Sequence, residues 1–111
     1  MSLVEAYAGE IRMLANTFAP RGWALCDGRL LPVEEYPVLF ALIGTTYGGD
    51  GIRTFALPDL RGRLPVGADD INTPGTHSAG TDVALGGDAS TDPTLAVNYI
   101  ICLHGVYPDH S

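Results

Sequence analysis

Thr54-Phe-Ala-Leu-Pro-Asp-Leu-Arg-Gly-Arg-Leu-Pro-Val-Gly67 is the stretch whose reading decides how this chain folds. Apolar anchors (Phe55, Leu57, Leu60, Leu64, Val66) alternate with backbone restrictors (Pro58, Gly62, Pro65, Gly67) around a compact charge set, Asp59, Arg61 and Arg63. Each proline fixes its own φ, biases the preceding residue toward extended backbone and donates no ladder hydrogen bond. Such a segment is excluded from helix and makes a poor central strand. It reads as an irregular extended rail, its side chains pointing alternately into a core and outward. Its polar groups then need side chains or neighbouring subunits to satisfy them.

A chain of 111 residues is the size of one domain, and we read residues 1–111 as a single unit. Its hydrophobic content of 46% places it among ordered chains, while 14 Gly and 8 Pro predict many turns and little helix. A net charge of −7 argues against nucleic-acid and anionic-membrane partners, which select basic faces. All six cations are arginines and lysine is absent, a choice that suits planar, multi-donor hydrogen bonding in fixed places. No stretch is long and apolar enough to span a membrane, and the N-terminus lacks the basic-then-apolar pattern of a signal peptide.

The fold class expected is mainly β, loop-rich, with one short helix. Tyr7–Ala15 and Trp23–Cys26 read as strands, and Arg29-Leu-Leu31 reads as the return strand of a hairpin turning at Asp27-Gly28. Trp23, the one tryptophan, is expected to cap the core with its N–H on a carbonyl. The helix is predicted over about 34–43, with Tyr36, Leu39, Phe40 and Ile43 on one face. Glu34 and Glu35 suit its N-terminal dipole, Pro37 its first turn and Gly44 its stop. Residues 68–93 change texture: small, acidic and turn-prone, they read as a surface excursion. Leu95–Leu103 is apolar almost throughout and reads as a buried central strand.

Chemistry-bearing patterns are few. Glycines 48, 49 and 51 invite a phosphate-loop reading, but no Lys-Ser or Lys-Thr follows. No Gly-x-Ser-x-Gly elbow is present, the acidic spacing matches no calcium loop, and no cofactor or catalytic residue is indicated. Cys26 and Cys102 lack metal-type spacing. As a disulfide they would close a loop of about 75 residues, worth about 4 kcal/mol in the chain-entropy account. The alternative is two buried thiols in apolar strands.

Four segments together resemble the phage tail collar domain family, which includes the bacterial microcystin-dependent proteins. They are Gly9-Glu-Ile-Arg-Met13, Ala19-Pro-Arg-Gly-Trp-Ala-Leu-Cys-Asp-Gly28, the Leu39-Phe40 to Gly51 run, and Phe55-Ala-Leu-Pro-Asp-Leu-Arg-Gly-Arg63. The closing Asn98-Tyr-Ile-Ile-Cys-Leu-His-Gly-Val-Tyr-Pro108 resembles that family's C-terminal motif. The resemblance implies a small β-rich, non-catalytic domain of tail fibres and tail-like particles, commonly an intertwined homotrimer. It also implies an extracellular or virion location. Members usually carry a longer insertion with a His-x-His pair, which in some phage fibres binds metal between three chains. Here the excursion holds only His77, and His104 and His110 do not rebuild the pair.

Two functions are therefore expected. The first is a structural subunit that assembles with itself, and with other tail or fibre proteins, through Trp23, Asp27, Asp59, Arg61, Arg63 and Tyr99. The second is a receptor- or glycan-binding adhesin tip using the acidic excursion, with Tyr47, Tyr107 and Trp23 as stacking rings.

Overall fold

The computed structural model of the chain describes residues 5–77 and 93–109. Residues 78–92 of the acidic excursion, and His110, lie outside the described residues. Five short strands and one helix follow in order: β1 (Ile11–Leu14), β2 (Trp23–Leu25), β3 (Leu30–Pro32), α1 (Pro37–Ile43), β4 (Thr54–Ala56) and β5 (Asn98–Cys102). They form a three-stranded antiparallel sheet in the order β1-β5-β2 and a two-stranded sheet of β3 and β4. The mainly β, loop-rich class with a single short helix is the one observed.

β5 is central because its apolar run can be buried on both faces. Ile100, Ile101 and Cys102 are buried there, with β1 paired from Ile11↔Ile101 to Leu14↔Asn98 and β2 from Trp23↔Cys102 to Leu25↔Ile100. The strand is shorter than its apolar run: Leu95 is 88% exposed. Phe55, Leu39, Leu57 and Ile101 are the largest fully buried side chains, and one core cluster joins both sheets to α1. Burying each such side chain stabilises by roughly 1.5–3 kcal/mol.

The helix begins three residues later than its acidic start suggested. Pro37 pushes Tyr36 out of the helical region (φ −129°, ψ 59°), so the first turn holds no acidic residue and the proline occupies the position that needs no N–H. Glu35 and Tyr36 instead donate their backbone N–H to the Pro32 carbonyl in a turn. The apolar face is as expected, with Leu39 buried and Tyr36, Phe40 and Ile43 packed on the core. Phe40 meets Phe55 ring to ring at 5.4 Å. Gly44, at φ +53°, ends the helix by donating to the Phe40 carbonyl at 2.8 Å.

Two local readings are corrected. The Asp27-Gly28 turn does not close a hairpin: β2 pairs with β5 and β3 with β4, so the turn passes the chain from one sheet to the other. Its backbone is claimed by the rail, through Gly28 N–H to the Pro58 carbonyl and Leu60 N–H to the Cys26 carbonyl. The rail, for its part, starts as strand β4 and does not alternate in and out. Phe55 to Pro58 are buried consecutively, while Leu64 and Val66 are 50% and 47% exposed. Ala56 loses its outward face to the glycine loop, which donates no side chain: a Cβ on Gly48 would stand 3.1 Å from that of Ala56.

Candidate assembly surface around Asp59

Asp59 lies on the rail and Asp27 at the sheet-to-sheet turn, and an antiparallel bridge sets the two residues side by side. Each carboxylate is gripped by the arginine two residues on. Asp27 accepts from Arg29 Nε at 2.9 Å and Nη2 at 2.8 Å, and from its backbone N–H at 3.2 Å. Asp59 repeats the arrangement with Arg61: Nε 2.8 Å, Nη2 2.8 Å, backbone N–H 3.2 Å. Arg63 adds a bond from Nη1 to the Asp59 carbonyl at 3.0 Å and lies 3.6 Å from its carboxylate. Two-pronged guanidinium–carboxylate pairs fix orientation as well as charge. Gly28, at φ +78°, makes the juxtaposition feasible, since a Cβ there would stand 3.1 Å from the Asp59 Cβ.

The electrostatics follow from the geometry. The Arg61 hydrogen bonds hold the Asp59 carboxyl well below the usual carboxylate range, helped by the charges of Arg61 and Arg63. Arg29 does the same for Asp27, which also feels Arg61 across the bridge. The Arg61 side chain is 71% exposed, so this pair adds little stability through charge attraction in water. The arrangement presents a rigid array of spare guanidinium donors at the surface. It holds no deprotonated base beside a nucleophile, and both carboxylates are already occupied.

Tyr99 joins this array. It packs at the margin of the core and, with Asp27, Arg61, Arg63 and Leu95, lines a groove of about 650 Å³. A second groove of about 350 Å³ lies across Leu60, Arg63 and Leu64, and carries Asp59, Ile11 and Val66. His77 stands on its wall, and among the described residues no group of three His, Cys, Asp or Glu side chains is disposed to hold a metal.

Trp23 does not belong to the cluster. Its register opposite Cys102 puts it on the other face of the sheet from Tyr99. Rather than capping the core it is half-buried under the Arg12 guanidinium, 5.1 Å from the ring centroid, and Arg12 is itself tied to Glu10 at 2.8 Å. Cys26 and Cys102 are buried free thiols. Cys26 lies opposite Tyr99, three residues along the ladder from Cys102 and on the other face, about 10 Å away at the rise of a strand. A disulfide needs Cα atoms within about 7 Å, so this register rejects the bridge. Burial pushes the Cys26 thiol up to about 12.

The residue that sequence reasoning left out of the site is Arg29, and its signal was the repeated Asp-x-Arg spacing at 27–29 and 59–61.

A loop-rich β domain with a presented charge array is the class this geometry defines. Residues 9–65, just over half of the chain, match the phage tail collar domain. The chain belongs to that family, which is structural rather than catalytic. It is also similar to Protein RhiB of Rhizobium leguminosarum bv. viciae, 42% identical over 52 residues. The alignment covers 44% of this chain and 24% of that protein, so the chain spans about a quarter of the relative it matches. Among the described residues no helix is long and apolar enough to cross a membrane.

Proposed function

We propose that this chain is a non-catalytic structural subunit of a phage-tail-like or extracellular fibre or filament, assembling with itself through its collar body as a homotrimer or higher array. The observation that carries this reading is the surface around Asp59. Rigid, exposed arginine forks stand beside apolar side chains, Leu64, Val66 and Leu95, that are 50%, 47% and 88% exposed. A protomer of this size rarely exposes such a combination without a protein partner. Other tail or fibre proteins are the further partners expected. A receptor- or glycan-binding tip is the second reading, favoured by Tyr107 and Tyr7, both more than half exposed beside Val106.

Light scattering coupled to size exclusion, with negative-stain microscopy, tests the first reading. Trimers or rods are expected, and Arg61→Ala and Arg63→Ala are expected to reduce the assembled mass while the monomer's circular dichroism is unchanged. A monomer at every concentration that nonetheless binds glycans on an array would reject it in favour of the second.

A further inference from the structure

Of the strand edges among the described residues, that of β1 is the most open. The outer side of β2 is engaged at both ends by its own chain: Trp23 N–H donates to the Pro20 carbonyl and the Leu25 carbonyl accepts from Asp27. β4 is closed by the glycine loop, through Ala56 N–H to the Gly48 carbonyl and Gly51 N–H to the Thr54 carbonyl. β3 is blunted by Pro32, which has no N–H and whose carbonyl is taken by Glu35 and Tyr36. β1 has no such device among the described residues. Cys102 N–H donates to the Glu10 carbonyl, which sets the alternation: Glu10, Arg12 and Leu14 turn their backbone to β5, and Ile11 and Met13 turn theirs outward. The same two residues carry apolar side chains that are 39% and 66% exposed.

We propose that the outer edge of β1 pairs, antiparallel about a two-fold axis at Arg12, with β1 of a second copy of this chain. The inference rests on the assembly reading above and names a contact of its higher arrays, since a three-fold ring contains no two-fold contact. The edge is complementary to itself: Ile11 of each copy faces Met13 of the other, and their outward N–H and carbonyl groups form the two rungs. Charge at the axis cancels, because each Arg12 is already bound to its own Glu10 and laid over Trp23. Ile11 also shares a groove with Leu64 and Val66, so the apolar surface continues from the strand onto the rail. Stable interfaces bury roughly 600 Å² a side at their lower end, so a four-residue edge with this apolar flank is one contact of the assembly rather than the whole of it. A second copy fits this edge because only a strand supplies both rungs and an apolar flank. The two-fold contact leaves Arg29, Arg61 and Arg63 free to build further.

The test uses the purified full chain. Met13→Pro removes an outward donor without touching the β5 ladder, and Ile11→Lys charges the edge; Leu30→Lys, at a residue 59% exposed on the blunted β3, is the control. Both edge variants are expected to lower the mass of the wild-type assembly at least twofold with native circular dichroism, and the control to leave it unchanged. Arg12→Cys is expected to give a covalent dimer on mild oxidation, since the unbonded pair at the axis brings Cα atoms to about 4.5 Å. An assembled wild type whose mass neither edge variant lowers, with no Arg12→Cys crosslink, overturns the edge and leaves the assembly reading standing. A wild type that stays monomeric overturns both.

Discussion

Asp50 shows how single side chains hold the loops of this chain. Its carboxylate Oδ1 accepts the backbone N–H groups of Ile52, Arg53 and Thr54 at 2.9, 2.9 and 3.0 Å, folding the glycine loop onto β4. Those three donors favour the charged form and lower its pKa to about 2. Because the folded value is depressed, the stabilisation is present above the unfolded carboxylate range and is lost as pH falls toward 2. The melting temperature of the wild type is expected to drop between about pH 4 and pH 2. Asp50→Ala should be destabilised at pH 7 and nearly equal to wild type at pH 2; a pH-independent difference between the two would contradict this account. The same principle was readable in part at Asp59, where Pro58 and Gly62 announced an irregular backbone needing side-chain partners. That Arg61 would grip the carboxylate with two nitrogens required the turn geometry itself.

At the scale of elements, helix α1 and the rail make opposite lessons. Tyr36, Leu39, Phe40 and Ile43 lie at helical spacing, and a helix has one period, so the buried face followed from the sequence. The rail has no period, and its burial depends on what covers each face. Phe55 is enclosed by Phe40 on one side and the glycine loop near its backbone on the other, whereas Leu64 passes beyond the core. Phe55→Ala is therefore expected to cost about 3–5 kcal/mol and Leu39→Ala about 2–5 kcal/mol. Leu64→Ala should stay within about 0.5 kcal/mol when measured on dissociated protein by urea unfolding. Equal losses at Phe55 and Leu64 would restore the alternating rail.

For the whole molecule, the register of the three-stranded sheet separates the cysteines, and the chain is expected to be indifferent to redox state. Cys26 and Cys102 sit on opposite faces of one sheet and both are buried. Burial raises both thiols, Cys26 to about 12, so the native protein should resist a thiol-labelling reagent at pH 8 and take up two labels only when unfolded. Reductant should not shift its melting temperature. Because the unfolded thiol ionises first, stability should decline as pH rises from about 9. A single label in the denatured state, or a reductant-sensitive melt, would reveal a bridge.

The sequence alone determined the β-rich class, the helix with its apolar face and glycine stop, the central position of the last strand and the family. These are written in local periodicity, in residues with few backbone options and in long ordered motifs. Tertiary structure alone decided that Asp27-Gly28 links two sheets instead of closing a hairpin, that Trp23 lies apart from the Asp59 cluster, and that Arg29 doubles the Asp59–Arg61 fork. Strand partners, sheet faces and edges are long-range choices: they depend on which segments compete for the same backbone groups, and no window of neighbouring residues encodes that competition.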